Sequence, residues 1–317
     1  MCAAMSTVRK SAPLLLQRLQ QGISVPPVEL IYTPHSRWPL PHSQLETIQQ
    51  HPNRPLRISV LDSSFNPPTL AHLALANSPC PSYRNDDEQN PETRVQDNST
   101  CGYDAKLFLL SVKNADKSLK AGDATYQQRL EMMLLLSKDV IASQHEVAAN
   151  VAIAIIDKPT FVGKSTALLD FLQRRLATPL SLELTFLVGL DTLERLFSPR
   201  YYTSEADMMA SLRQFLSAAP QGDNSRIVCA KRVSSPAEAA QSPEDISSLA
   251  LAKEFRESDR IVIIDIGDIV NRYSSSAIRS AIGRFGLGQT VNQDGGWKSM
   301  VTREVADYIV EQRLYVD

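Results

Sequence analysis

No stretch of the 317-residue chain approaches the roughly eighteen consecutive apolar residues that a membrane-spanning helix needs, so a soluble protein without membrane contact is expected. No charge of one sign dominates either. The 33 Lys+Arg face 35 Asp+Glu, and a formal net charge of −2 gives no overall attraction to nucleic acid or anionic lipid. The four cysteines, Cys2, Cys80, Cys101 and Cys229, show neither CxxC pairing nor metal-ligand spacing. They are expected to be reduced thiols of an intracellular protein, and no metal-binding residues are expected on the chain. No internal repeat is visible, and aromatic residues make up only 6%. What is present is 43% hydrophobic residues with a balanced 21% charged fraction, enough to bury a full core as one large or two small domains.

The first residues allow two readings. Met1 to Val28 contain no acid but do contain Arg9, Lys10 and Arg18, with an apolar Leu14 to Leu16 block, a composition compatible with a mitochondrial presequence. Leu15, Leu16 and Leu19 also recur at helical spacing, and an amphipathic helix packed on the domain is the expectation. Cytosol or nucleus is then the expected compartment, ahead of the mitochondrion. Residues 23–56 carry seven prolines and little periodicity, which predicts a strap leading into the first strand.

From Arg57 onward, apolar runs alternate with helical patterns. Strands are predicted near Ile58–Leu61, Leu107–Val112, Val151–Ile156, Leu184–Val188, Ile227–Ala230 and Ile261–Ile266. Helices are predicted from about Thr69, Tyr126, Ser165, Ser204, Pro243, Ser276 and Lys298. Strands that are apolar throughout point to a parallel sheet covered on both faces. The predicted class is α/β, a doubly wound, Rossmann-like sheet in one catalytic domain (57–317) behind an N-terminal helix and Pro-rich extension (1–56). Residues 77–104, rich in Pro, Asn and Asp, read as an exposed insertion in which Cys80 and Cys101 would be ordinary surface thiols. Val233–Ser242 read as a second loop.

Ligands of open parallel sheets bind beyond the carboxyl ends of the strands, so the strand-to-helix loops are where chemistry is sought. The loop after the first predicted strand reads Ser63-Ser64-Phe65-Asn66-Pro67-Pro68-Thr69-Leu70-Ala71-His72. Its prolines fix the backbone before a helix start, Thr69 can cap the first turn, and His72 can point back and donate a hydrogen bond to a phosphate. Taken alone, a histidine on a first turn is more often structural. After the last predicted strand comes Tyr273-Ser274-Ser275-Ser276-Ala277-Ile278-Arg279. Its hydroxyls at a helix start, with a cation one turn on, can form an anion cradle; taken alone, a plain serine cap with a solvated arginine is the favoured reading.

Together, SFNPPTLAH (64–72) and YSSSAIR (273–279) resemble the two signatures of the HIGH-type nucleotidyltransferase superfamily, GxFxPxHxGH and SSTxIR. Within it, the chain is similar to the nicotinamide mononucleotide adenylyltransferase family, in particular its fungal branch, over roughly residues 57–315. Thr69 stands in place of the first histidine, and Ser63 or Ser64 in place of the first glycine. The resemblance implies a role in NAD synthesis, in which ATP and a mononucleotide give a dinucleotide and pyrophosphate with Mg2+ accompanying the phosphates. It implies His72 and Arg279 as catalytic groups. Ser63, Ser64, Phe65, Thr69, His72, Ser274, Ser275, Ser276 and Arg279 would meet ATP. Lys117, Phe161, Gly189, Asp191 and Tyr202 would meet the acceptor, with Phe161 and Tyr202 where the family usually has tryptophans. Tyr126 to Arg129 resembles the family's following helix start. Two alternatives stay open: another acceptor, such as nicotinate mononucleotide or pantetheine phosphate, or a degenerate ATP-binding or ATP-hydrolysing regulatory protein.

Two further patterns are read as decoys. Gly163-Lys164-Ser165-Thr166 imitates the end of a phosphate loop, but the position five residues before Gly163 holds Lys158 rather than glycine; Ser165 or Thr166 as a helix cap is the expectation. Gly283, Gly286 and Gly288 follow a helix instead of a strand and are expected to be turn glycines.

Overall fold

A computed structural model describes residues 2–41, 54–81, 102–113, 122–141, 149–176, 180–231, 252–288 and 296–316. Seven strands, β1 (Val28–Tyr32), β2 (Leu56–Asp62), β3 (Ala105–Ser111), β4 (Val151–Ile156), β5 (Leu182–Gly189), β6 (Arg226–Ala230) and β7 (Ile261–Ile264), form one sheet in the order β1-β4-β3-β2-β5-β6-β7. Every pairing is parallel except that of β1 with β4. Setting β1 aside, the order is that of the doubly wound dinucleotide-binding sheets, with its reversal point between β2 and β5. All six predicted strands are present. β1 is not among them: it lies in the segment predicted to be a strap, and it pairs Val28 with Ile156 on the β4 edge. Its prolines flank the strand, where missing amide donors cost no ladder hydrogen bond.

Alternation along the strands divides the core in two. Leu61, Phe108, Leu110, Ile153, Ile155 and Leu187 face one side, and Val60, Leu107, Leu109, Ala152, Ala154 and Phe186 the other. The first side is covered by α1 (Cys2–Gln20), α2 (Leu70–Ala76), α3 (Tyr126–Ser137), α8 (Ser275–Phe285) and α9 (Arg303–Glu311). The second is covered by α4 (Phe161–Arg175), α5 (Leu190–Leu196), α6 (Glu205–Leu216) and α7 (Lys253–Glu257). Burial on both faces explains why β4 and β6 are apolar at every position but Arg226.

The helix expected at the N-terminus packs on the domain. Met5, Val8, Ala12, Leu16 and Leu19 form its buried stripe, each large residue contributing about 1.5–3 kcal/mol of burial energy. Arg9 is paired at 2.8 Å with the buried Glu131 of α3, which also accepts a hydrogen bond from Tyr308 of α9 at 3.0 Å.

Three further expectations change. α4 begins at Phe161, four residues before the predicted start, because Thr160 is the cap: its Oγ1 accepts from the Gly163 amide at 3.2 Å. Ser165 is instead buried against Ser225, and Thr166 bonds back to the Val162 carbonyl. Cys80 is no surface thiol: it is 4% exposed, and burial pushes its pKa up to about 11. Tyr103, at the other end of the predicted insertion, is also buried, and Cys101 lies outside the described residues. Gly286, at φ 73°, ends α8 as a turn glycine, whereas Gly283 lies inside that helix. The loop predicted at Val233–Ser242 and the helix start at Pro243 lie outside the described residues.

Candidate active site

β2 delivers the first motif to the carboxyl edge of the sheet. Phe65 holds the loop down: it is fully buried at φ 45°, with its ring 5.8 Å from Phe108 and 5.4 Å from the His72 imidazole. Thr69 occupies the N-cap of α2, and its amide donates to His72 Nδ1 at 3.0 Å while its hydroxyl lies 2.9 Å from the same atom. An accepting Nδ1 leaves the hydrogen of a neutral ring on Nε2. That nitrogen lies 2.8 Å from Ser63 Oγ. Burial pushes the His72 pKa down to about 4, so the ring is neutral at pH 7 and presents an N–H donor. Ser63, one of the two serines that can stand at the first glycine position of the motif, is therefore bonded to the histidine.

The second motif packs directly onto the first. Ser274 caps α8 by accepting from the Ala277 amide at 3.1 Å, Ser275 Oγ donates to the Pro67 carbonyl at 2.7 Å, and Ser276 is exposed. Arg279 donates to the Asn66 carbonyl at 2.5 Å across 213 positions of sequence. Ser64 joins through its carbonyl, which lies 3.4 Å from an Arg129 nitrogen. His72, Arg279 and Ser275 thus all meet the loop that runs from Ser63 to Thr69.

Asn66 is the centre of this junction, and sequence reasoning did not single it out. Its side chain donates to Asp123 at 2.7 Å and accepts from the Ala124 amide at 3.2 Å and the Tyr315 hydroxyl at 2.9 Å. Asp123 in turn lies 3.7 Å from Arg279 and 3.5 Å from Arg129. Asn66 stood inside a recognisable motif; Asp123 and Tyr315 carried no local signal.

Of the residues expected to meet the acceptor, Gly189 ends β5, Asp191 and Tyr202 follow it, and Phe161 opens α4 after β4. Phe161 and Tyr202 are half-buried against the same apolar cluster, with Phe161 edge-on to Phe186 at 5.6 Å. The Tyr202 hydroxyl donates to the Leu196 carbonyl at 3.0 Å, and burial pushes its pKa up to about 12. Gly189 is exposed, and a Cβ added to it would meet nothing within 4 Å. Asp191 is exposed on the first turn of α5. Lys117 lies outside the described residues. Lys164 of the false phosphate loop is buried and pairs with Asp62. Among the described residues, no group of three or more His, Cys, Asp or Glu side chains could hold a metal ion.

No family model matches the chain. A curated protein of Schizosaccharomyces pombe named "Putative nicotinamide mononucleotide adenylyltransferase" is 33% identical over 175 residues, 55% of this chain and 53% of its own. The chain thus spans about half the length of this curated relative. Two solved structures of the Plasmodium falciparum nicotinic acid mononucleotide adenylyltransferase, one complexed with NaAD and one with APC, cover 82% of this chain at 15% and 13% identity. They are covered over 97% and 96% of their own lengths, with TM-scores of 0.45 and 0.43, too low to carry weight beside the sheet order itself. The motifs and the fungal relative agree over about half of the chain, which is similar in sequence there to a protein named a putative nicotinamide mononucleotide adenylyltransferase.

Proposed function

We propose that the chain is an adenylyltransferase that joins ATP to a pyridine mononucleotide, giving a dinucleotide and pyrophosphate. The observation that carries this reading is the junction at the 63–69 loop, where His72 and the Ser274–Arg279 helix start meet a single stretch of backbone. An acceptor phosphate oxygen forms a bond to the α-phosphorus as the bond to the bridging oxygen of the β-phosphate breaks. Such in-line transfer depends on placement and charge neutralisation more than on covalent help.

The neutral His72 ring donates its Nε2 hydrogen to the α-phosphate, exchanging Ser63 for the ligand. Arg279 and the hydroxyls of Ser274 to Ser276 hold the departing pyrophosphate at the start of α8. Ser63, Ser64, Phe65 and Thr69 form the loop that borders ATP. Lys117 binds the acceptor phosphate, Phe161 and Tyr202 flank the pyridine ring, and Gly189 and Asp191 receive the ribose or ring amide. A magnesium ion accompanying the triphosphate would supply charge neutralisation there. The amides, hydroxyls, imidazole and guanidinium of this site suit phosphate, and a magnesium ion would be held mainly through the phosphates.

Purified protein incubated with ATP, Mg2+ and either nicotinamide or nicotinate mononucleotide is expected to yield the corresponding dinucleotide, identified by mass. Absence of both products refutes the reading.

A further inference from the structure

A buried ion pair at the carboxyl end of β2 has no role in the steps above. Asp62 ends β2 one residue before Ser63, and Lys164 lies on the first turn of α4. Their side chains are each 7% exposed and joined by a hydrogen bond from Lys164 Nζ to Asp62 Oδ2. The same nitrogen stands 4.9 Å from the centre of the Phe161 ring, which leans on Phe186 of β5. The pair therefore links the strand that bears the His72 loop to the aromatic residue on the acceptor side.

We propose that the Asp62–Lys164 pair selects the acceptor, admitting a pyridine ring with an uncharged carboxamide and disfavouring one with a carboxylate. The inference rests on the adenylyltransferase reading and on Phe161 as the ring's platform. A carboxamide both donates and accepts, so it can meet carboxylate and ammonium together. A carboxylate brings a third buried charge beside Asp62, and the adjacent cation is already committed. Discrimination by an unmatched charge is a repulsive element built against the wrong ligand.

Turnover of the full chain with saturating ATP, measured as kcat/KM for nicotinamide and nicotinate mononucleotides, tests this. Wild type is expected to favour the carboxamide by about tenfold or more, the scale of one well-placed polar contact. Asp62→Asn leaves Lys164 unmatched and should move the ratio toward the carboxylate; Lys164→Met leaves Asp62 unmatched and should move it further toward the carboxamide. The double variant, neutral again, should return toward wild type. Opposite signs separate selection from a structural role, which would lower both acceptors together. Singles that shift the ratio the same way, or not at all, overturn the selector while leaving the adenylyltransferase reading standing. Wild type silent toward both acceptors removes that reading and the selector with it. Should the single variants fail to fold, the wild-type ratio still decides, since an absent or inverted preference refutes the proposal.

Discussion

The residues around the first motif and those assigned to the acceptor are held differently. Around the first motif, Ser63 and Thr69 are tied to His72, Phe65 to Phe108, and Asn66 to Asp123, Arg279 and Tyr315. Among the residues assigned to the acceptor, Gly189 and Asp191 are exposed, and Phe161 and Tyr202 are half-buried rings held by Phe186 and by the Leu196 carbonyl. A preorganised donor set is what a transition state needs, because its dipoles do not reorganise as charge moves. Recognition of a flat ring needs only open area beside an aromatic face.

If the contrast holds, damage on the ATP side should fall on kcat and damage on the acceptor side on one KM. The largest effect is expected from His72→Ala, which should preserve the fold and lower adenylyl transfer by about 10²–10³-fold, as for removal of one preorganised donor. Arg279→Lys keeps the charge but cannot hold the Asn66 carbonyl and a phosphate with one planar fork, so kcat/KM for ATP should fall about tenfold. Phe161→Leu should raise the acceptor KM by about threefold to tenfold through loss of an aromatic contact, with the KM for ATP unchanged. An equal rise in both constants would erase that distinction.

Stability gives two smaller tests. Tyr315→Phe removes a buried donor to Asn66 and should lower unfolding free energy by about 1 kcal/mol in chemical denaturation. The pH dependence of His72 follows from its depressed pKa. The unfolded chain binds a proton below about pH 6.5, whereas the folded ring stays neutral to about pH 4. Stability from this group is therefore complete above that window and is lost as pH falls through it. Denaturation midpoints of wild type should drop between pH 7 and pH 4 more than those of His72→Gln; equal slopes would show that the ring is not held neutral.

The central strands were legible because burial on both faces requires unbroken apolar runs, as in Val151–Ile156. The strand Val28–Tyr32 was not, since an edge strand takes its identity from Ile156, Ile155 and Ala154 across the ladder and not from its own pattern. The lysine of the Gly163–Thr166 run was rightly detached from any phosphate loop, yet its pairing with Asp62 joins residues 102 positions apart. Asn66 lay in plain view within its motif, but its role depends on Asp123, Arg279 and Tyr315 arriving from elsewhere.

Local chemistry thus determined the alternating elements, the two helix starts and the choice of His72 and Arg279, because periodicity and capping are short-range properties written residue by residue. Which groups meet was decided only by the folded sheet: its reversal between β2 and β5 sets the covering helices on opposite faces and draws remote segments to one edge. Contacts that close over two hundred positions have no counterpart in neighbouring residues, so the neutral histidine, the Asn66 junction and the buried Asp62–Lys164 pair emerge only when the chain is folded.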